Sequence, residues 1–503
     1  MSNLTFKNEK MKKILFLCLF VPIFASILFS CKDENKTNFQ AFDPSKPIEI
    51  TGFYPDSGGI ATPFIIEGSN FGSDTTGMKV YFVDTLGIKH QAGLVGSNGQ
   101  KIYAFVPKLT YLRKMEIMVE RTKQGGGTVS GTADDNFFYR TQTSVSTVVG
   151  KPESNNNAVP TTGGDFTSAT LSAPFAICLD DEDNIFVAER GWSAQGHGAL
   201  QGARNDKGEG VSGNIVLVDT KGQSVLVMRY GTAAVNAPAF SDEPGSEAVY
   251  VPEDAGLYYF QMLKSLTYAP RHRSLILSEE TRNVIEGNWK YSFIVNKLDH
   301  MVYTVMWKGQ LVRFNPVTRN VEVLLDKVIP DAPNAHGSGN GSNTYCVFSP
   351  LEPNMLYFCM EDYNMIKRVD ISALGDKDKT TYRGEPYAGR ALLEGPVNGR
   401  GWEDGLLENA RFFAPKQMAF TSDGKLYIAD NNNHCIRVID TTVPKNLATV
   451  NTAIGLPQSP GFQDGGPEFA KFWYPTGVAV NSDGSIIYVA DSRNHVIRKL
   501  SIE

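Results

Sequence analysis

Residues 404–440 read DGLLENARFFAPKQMAFTSDGKLYIADNNNHCIRVID, and residues 464–500 read DGGPEFAKFWYPTGVAVNSDGSIIYVADSRNHVIRKL. The second stretch repeats the apolar runs, the Asp-Gly pairs and the Asn-His pair of the first, and it starts 60 residues later. A fixed internal period of this length is typical of repeat architectures, in which each copy is one supersecondary unit. The two copies therefore predict a fold built from successive repeats.

Each copy reads as a β-hairpin followed by further strands. In the first copy, residues 417–421 and 426–429 are apolar runs on either side of Ser422-Asp423-Gly424. An Asp-Gly pair between two β-rich runs is a strong hairpin signal, because Gly accepts the positive φ that tight turns need. Residues 435–439 and 448–454 supply a third and a fourth run. Four short antiparallel strands are the unit of a β-propeller blade.

The residues that the copies share resemble the NHL repeat family. They are the Asp-Gly pair, Ala-x-Phe at 410–412 and 470–472, Pro415 and Pro475, Ala-Asp at 429–430 and 490–491, and Asn-His before Ile-Arg. Weaker copies of the hairpin core lie upstream, at 174–190, 265–285, 293–314 and 346–370. The resemblance implies an all-β protein whose residues 141–503 form a six-bladed NHL-type β-propeller.

A stray strand lies at the start of this region. Residues 145–150 (VSTVVG) are similar to the fourth strand at 448–455, whereas the copy that ends at Glu503 contains only three strands. We expect the stray strand to complete the last blade, because such pairing removes exposed sheet edges.

The front of the chain has the layout of a secretory signal peptide. Residues 11–30 (MKKILFLCLFVPIFASILFS) place two lysines before an apolar run, which ends at Cys31. This boundary resembles a bacterial lipobox, which implies that residues 1–30 are removed and that Cys31 carries the lipid. An ordinary signal peptide with an incidental Cys is the alternative. We expect residues 31–46, which are polar, to form a tether.

The residues after Cys31 indicate a cellular address. Lys32-Asp33-Glu34 resembles the acidic tag that exports lipoproteins to the surface of Bacteroidetes-type bacteria. The resemblance implies a protein that is anchored by lipid in the outer membrane and faces the cell exterior.

Residues 47–140 predict a separate small domain. Pro55, Gly58-Gly59 and residues 65–72 (IIEGSNFG) resemble the IPT/TIG immunoglobulin-like domain. Alternating runs predict further strands at 79–83, 101–106, 116–120 and 136–139, which suits a β-sandwich. By family analogy we expect this domain to be a spacer rather than a second binding domain.

The composition excludes some classes of partner. The chain has 503 residues, of which 42% are hydrophobic, and its net charge of −6 leaves no basic excess for nucleic acid. Of the six Cys, the four at 178, 346, 359 and 435 lie in apolar strand runs, where Cys usually packs as a small hydrophobe. Cys346 and Cys359 lie on two arms of one predicted hairpin, so a disulfide between them is the alternative.

Several motifs have a structural interpretation and a functional one. Asp180–Asn184 (DDEDN) lacks the ligand spacing of an EF-hand and stands where other copies have a hairpin turn. His434 and His495 occupy one repeat position, which favours a structural role. Acidic residues recur where second strands end, at Glu189, Glu280, Glu361, Asp430 and Asp491. We expect these carboxylates to accept backbone N–H groups, and a ligand-binding ring is the alternative.

Candidate ligand-binding residues lie in predicted loops. Trp192 and His197 belong to a long insertion in the first blade, and Trp402 and Trp473 precede later hairpins. Aromatic faces stack well on sugar rings, so these residues, together with Glu280 and Glu361, are the predicted ligand contacts. For Trp473 the alternative is packing between blades, because Phe413 is its equivalent.

Accessory proteins of outer-membrane glycan-capture systems share this combination of features, so the resemblance implies a binder of extracellular polysaccharide without catalysis or cofactor. The main alternative is a protein scaffold at the outer membrane. A lyase or hydrolase is a third reading, because peptide-amidating lyases have a related propeller. Such an enzyme needs converging His ligands around a metal, and the sequence shows no His pair at ligand spacing.

Overall fold

The computed structural model divides the chain into two compact units, Met1–Thr141 and Gln142–Glu503. The residues that it describes are 41–84, 87–107, 114–123, 125–139, 143–153, 159–190, 203–231, 233–254, 256–269, 272–275, 285, 289–330, 341–389 and 399–502. Over these residues the protein is all-β, as the sequence predicts. Helical segments among them are short 3-10 turns, at Lys264–Leu266, Glu361–Tyr363, Ile371–Asp376, Asn431–Asn433 and Ser492–Asn494.

The first unit contains two sheets that share one core. One sheet consists, in spatial order, of β1 (Glu49–Tyr54), β3 (Pro63–Gly72), β7 (Gly99–Phe105) and β6 (Gly93–Ser97). The other consists of β2 (Ser57–Gly58), β9 (Thr128–Tyr139), β8 (Lys114–Thr122), β4 (Met78–Val83) and β5 (Lys89–Gln91). Phe64, Phe82 and Phe137 meet in the core, with ring centroids 5.0, 5.1 and 5.3 Å apart. The four strands predicted after residue 72 all form, and β5 and β6 are added to them.

Within the described residues, the second unit contains six antiparallel sheets. The first has β11 (Gly164–Asp165), β12 (Pro174–Leu179), β13 (Ile185–Arg190), β14 (Gly213–Asp219) and β15 (Ser224–Gly231). The second has β16 (Ala239–Ser241), β17 (Ala248–Pro252), β18 (Tyr258–Leu263) and β19 (His272–Leu275). The third has β20 (Ile294–Val295), β21 (Val302–Val305), β22 (Leu311–Phe314) and β23 (Val321–Leu325).

The fourth sheet has β24 (Thr344–Phe348), β25 (Met355–Met360), β26 (Met365–Asp370) and β27 (Glu385–Ala388). The fifth has β28 (Gly405–Leu406), β29 (Pro415–Phe420), β30 (Lys425–Asp430), β31 (Cys435–Asp440) and β32 (Thr449–Ile454). The sixth has β33 (Pro475–Val480), β34 (Ile486–Asp491), β35 (Val496–Ile502) and β10 (Thr143–Gly150).

The sheets are arranged in a ring. Their inner strands contact one another in the order β12, β16, β20, β24, β29, β33 and back to β12. Apolar side chains fill the gaps between sheets, as where Tyr259, Phe293 and Phe314 lie in one buried cluster. Each inner strand is joined by its hairpin turn to the second strand of the same sheet, so one end of the ring carries these turns and the other carries the beginnings of the inner strands.

The predicted pairing of the stray strand is confirmed. β10 pairs antiparallel with β35, from Thr143 opposite Ile502 to Gly150 opposite Val496. The backbone of Val145 also bridges to Gly465, and the Thr147 N–H donates to the Asp464 carboxylate at 3.2 Å. An early segment of the unit is thus hydrogen-bonded to its last strand, which closes the ring.

One hairpin core predicted from the sequence is wrong. The second sheet begins with the hairpin β16–β17, and of residues 265–285 only β19, its outermost strand, is in a described strand. The error has a local cause. The true turn contains Pro244-Gly245 rather than Asp-Gly, and β16 has only three residues, so the apolar signal is weak.

The disulfide alternative is also wrong. Cys346 stands opposite Phe358, and Cys359 stands opposite Tyr345, so the two Cys are one position out of register and point to opposite faces of the sheet. All four described Cys are free thiols.

The DDEDN segment forms the predicted hairpin turn. The Asp180 Oδ1 atom accepts the N–H groups of Glu182 at 3.0 Å and Asn184 at 2.9 Å. The described part of the chain contains no helix with the length and hydropathy of a membrane span.

Candidate ligand-binding surface

Two tryptophans meet at the end of the ring where inner strands begin. Trp289 lies just before β20 and Trp307 just after β21. The Trp307 N–H donates to the Trp289 carbonyl at 2.8 Å, and the rings meet edge to face with centroids 5.4 Å apart. Because 46% of Trp289 remains exposed, the pair presents a large aromatic surface to solvent.

Gly341 holds the second ring in place. A Cβ atom at this position would lie 2.3 Å from the Trp307 ring, so only Gly allows the backbone to approach so closely. The next residue fixes the approach, because the Ser342 N–H donates to the Trp307 carbonyl at 2.9 Å. The Gly-rich segment 337–343 (GSGNGSN) thus supports an aromatic ring through its backbone at Gly341 and Ser342, and its residues 337–340 lie outside the described residues.

An ion pair stands on one side of the tryptophans. Arg190, at the end of β13, donates to Asn236 at 2.7 Å and lies 3.1 Å from the carboxylate of Asp254. Its guanidinium lies 4.9 Å from the centroid of the Tyr291 ring and 5.3 Å from that of Phe175, which is cation–π geometry. The side chains of Arg190 and Asp254 are 16% and 21% exposed, so both remain accessible from solvent.

A second ion pair is more deeply buried. The Lys416 Nζ atom, on the fifth sheet, lies 2.6 Å from Glu361 Oε1, on the fourth, with 2% and 8% of the side chains exposed. The Asn343 side chain donates to the other oxygen of Glu361 at 3.1 Å. Glu361, one of the predicted ligand contacts, thus joins two sheets through its charge.

These groups all lie at the end of the ring where the inner strands begin. Trp289 is two residues from Tyr291, and Gly341 is two residues from Asn343, so each tryptophan is linked by a short backbone segment to an ion pair. We call this the aromatic–ionic surface, which comprises Arg190, Asp254, Trp289, Tyr291, Trp307, Asn343, Glu361 and Lys416. Each of its cations faces a carboxylate, which suits a ligand that carries many hydroxyl groups and no charge.

A buried hydroxyl beneath the surface lacks a partner. Tyr345 is 1% exposed, and its Oη atom makes no hydrogen bond in the described structure. Burial raises the pKa of this phenol well above its usual range, with the nearby Glu361 acting in the same direction. An unpaired buried hydroxyl costs free energy.

The other predicted ligand contacts are more dispersed. Trp402 is 42% exposed and donates to Thr452 at 3.0 Å, and Phe462 stands at the same repeat position with 40% exposed. Trp473 is half-buried, with the Arg493 guanidinium 5.3 Å from its ring centroid. Both tryptophans therefore stand where another copy also has an aromatic residue. Trp192, His197, Glu280 and the predicted lipidation site Cys31 lie outside the described residues.

The repeated acidic residues have structural partners. Asp430 accepts the Phe413 N–H at 2.8 Å, and Asp491 accepts the Trp473 N–H at 2.7 Å. Glu189 accepts the Ser172 N–H at 2.7 Å. The prediction that such carboxylates bind backbone N–H groups is confirmed for these three.

The repeated histidines close short turns. His434 and His495 both have left-handed backbone conformations, with φ of 59° and 60°, after the 3-10 turns that follow β30 and β34. The Tyr474 N–H donates to His434 Nδ1 at 3.2 Å, and His495 Nδ1 bonds the Ser172 carbonyl, so each ring reaches the next sheet. Burial lowers the pKa of His434 to about 4. Within the described ranges, no group of His, Cys, Asp or Glu is arranged to hold a metal ion.

The NHL repeat model matches residues 415–439 and 472–500. The first match covers β29, β30 and most of β31, and the second covers β33, β34 and most of β35. The chain contains NHL repeats. Sequence relatives include SUPPRESSOR OF QUENCHING 1 of Arabidopsis thaliana, 32% identical over 146 residues, and human NHL repeat-containing protein 2, 37% identical over 102 residues. These matches cover 29% and 20% of this chain, and only 13% of either relative.

Solved structures share the fold of this protein over most of the chain. A Bacteroides thetaiotaomicron protein of unknown function aligns with a TM-score of 0.59 at 20% identity, over 92% of this chain and 100% of its own. An auxiliary nutrient binding protein from Bacteroides ovatus aligns with a TM-score of 0.58 at 20% identity, over 92% and 100%. One from Bacteroides thetaiotaomicron aligns with a TM-score of 0.56 at 20% identity, over 92% and 99%. At 20% sequence identity, the similarity to these structures shows a shared fold.

Proposed function

We propose that the protein is a lipid-anchored lipoprotein of the outer membrane that binds extracellular polysaccharide without chemistry, as an accessory of glycan capture. In this account Cys31 carries the lipid, the first unit is an IPT/TIG-type spacer, and the six sheets are the blades of an NHL-type propeller. The propeller carries the NHL repeats and presents the aromatic–ionic surface to the glycan.

The exposed Trp289, held against Trp307, is the observation that carries the proposal. A flat aromatic ring stacks on the C–H face of a sugar and loses little conformational entropy on binding. At the same end of the ring, the paired side chains of Arg190 and Asp254 offer donors and acceptors to hydroxyl groups. Because Arg190 and Lys416 are each already paired with a carboxylate, a neutral glycan needs no compensating ion, and neither cation is available to attract an anionic chain.

The names of the structural neighbours support the same class of function. Auxiliary nutrient binding proteins from two Bacteroides species share the fold over nearly the whole chain. Because fold alone does not determine function, the proposal of glycan binding rests on the aromatic–ionic surface.

The test is a binding screen of the purified protein against neutral and acidic polysaccharides, by affinity electrophoresis and glycan array. The proposal expects retention by at least one neutral glycan. A screen without any retention, followed by capture of one outer-membrane protein, would replace glycan binding with scaffolding.

A further inference from the structure

A cavity of about 700 Å³ lies inside the ring of inner strands, at the end that carries the hairpin turns. All six inner strands contribute to its lining. The aromatic–ionic surface lies at the beginnings of the inner strands, so the cavity is at the other end of the ring. Ligand pockets in proteins commonly have volumes of this size.

The wall of the cavity is apolar. Each sheet supplies a half-buried apolar side chain of its inner strand, namely Leu179, Phe240, Ile294, Phe348, Phe420 and Val480. These side chains retain exposed apolar area only because the cavity is open, and a ligand that fills it would remove this area from water. Since the wall belongs to central strands of a closed ring, it is preformed.

Gln417 crosses the ring on the inner side of the cavity. Its Oε1 atom accepts the N–H groups of Ile177 at 3.0 Å and Val478 at 3.3 Å, and its Nε2 atom donates to the Ile177 carbonyl at 2.6 Å. One side chain of the fifth sheet thus bonds the first and sixth sheets. Gln417 thus provides hydrogen bonds to backbone N–H and C=O groups of the inner strands, which would otherwise have to bond water.

The charged groups at the rim are already engaged. Asp181 lies 2.5 Å from Lys264, and Asp242 lies 3.9 Å from Lys297. Asp183 accepts the Ser482 N–H at 2.8 Å. Because Asp183 is held by the neutral N–H and hydroxyl groups of Ser482, its negative charge persists at the rim and disfavours an anionic ligand.

We propose that this cavity is a second binding site, which takes one small neutral molecule of largely apolar surface. The size of the cavity, its apolar wall and a rim that disfavours anions carry this inference. It does not depend on the binding of glycans at the other end of the ring.

The test uses N-phenyl-1-naphthylamine, a neutral probe whose fluorescence rises in apolar surroundings, titrated into the full-length protein. We expect saturable binding of one probe per chain. Ala419 lines the cavity on β29 and is half-buried, so Ala419→Trp places an indole in the space and should abolish binding. Val317→Trp adds the same indole at a position that is 69% exposed and outside the cavity, and it should bind as wild type.

Val480→Lys is a second variant, which places a charge in the cavity without filling it. Circular dichroism and thermal melting identify the variants that remain folded. Loss of probe binding in either folded variant, with Val317→Trp unaffected, supports the site. Absence of saturable binding to the wild type overturns the proposal, and so does wild-type binding by folded Ala419→Trp or Val480→Lys.

Discussion

Arg437 and Asp430 form an ion pair with N and O atoms 2.7 Å apart, although both side chains are completely buried. Arg498 and Asp491 repeat the pair in the sixth sheet, at 2.9 Å. In each guanidinium the Nε atom donates to a second carboxylate, that of Asp404 for Arg437 and that of Asp464 for Arg498. The Nη2 atom donates to the backbone carbonyl of the residue before that carboxylate. The NHL sequence signature is thus explained by a buried charge network that fixes the third strand to the loop before the hairpin.

We predict that Arg437→Met destabilises the protein strongly. The change leaves Asp430 buried without its counter-charge, which typically costs about 3–5 kcal/mol. Urea unfolding should show this loss, whereas Lys221→Met, at an exposed turn position, should change the unfolding free energy by less than about 0.5 kcal/mol. Equal effects of the two substitutions would contradict a structural role for the pair.

His434 should make stability depend on pH. Because burial and the nearby Arg493 lower its pKa to about 4, from an unfolded value near 6.5, the unfolded state binds the proton first as the pH falls. The contribution of His434 to the free energy of unfolding is therefore fully present above about pH 6.5. It falls by about 3 kcal/mol as the pH is lowered towards 4. Chemical unfolding at several pH values measures this loss of unfolding free energy.

The matched variant is His434→Asn, since Asn also tolerates the left-handed conformation and does not titrate. Other groups titrate in the same range, including Asp430 and Asp491, whose pKa values burial raises to about 6. The difference between wild type and variant removes their contribution. That difference should shrink as the pH falls from 7 to 4, and parallel curves would show that His434 has no such role.

Tyr345→Phe should leave the stability of the free protein unchanged or raise its melting temperature. The substitution removes a buried hydroxyl to which the described residues offer no hydrogen-bond partner, while the ring that fills the core is kept. Tyr303→Phe is the comparison, because the Tyr303 hydroxyl donates to Asp299 at 2.6 Å and its loss should destabilise. A Tyr345→Phe protein that melts several degrees below wild type would mean that the hydroxyl is satisfied in solution.

Cys31→Ala should move the protein from the membrane fraction to the soluble fraction, because the anchoring lipid has no other attachment site in the proposal. Cell fractionation and immunoblotting measure the shift, with Cys178→Ala as the control for loss of a Cys elsewhere. Continued membrane retention of Cys31→Ala would exclude lipidation at this residue as the anchor.

Sequence patterns predict the fold where the signal is local. The Asp423-Gly424 turn, the strands of the fifth and sixth sheets and the pairing of residues 145–150 follow from turn chemistry and from repeat comparison. The second sheet was misplaced because its turn lacks Asp-Gly. The proposed binding surface is predicted from the sequence only in part, through Glu361. Trp289 and Trp307 lie in the weak middle repeats, and they meet through a backbone hydrogen bond that no spacing in the sequence reveals.

The most direct test of glycan binding at the aromatic–ionic surface is a calorimetric titration of one retained neutral glycan into wild type, Trp289→Ala and Trp402→Ala. The two tryptophans are matched, with 46% and 42% exposed. We expect Trp289→Ala to weaken binding at least about tenfold, or roughly 1.4 kcal/mol, and Trp402→Ala to weaken it less. Unchanged affinity in folded Trp289→Ala would contradict the account, and loss confined to Trp402→Ala would move the site to the loop before the fifth sheet.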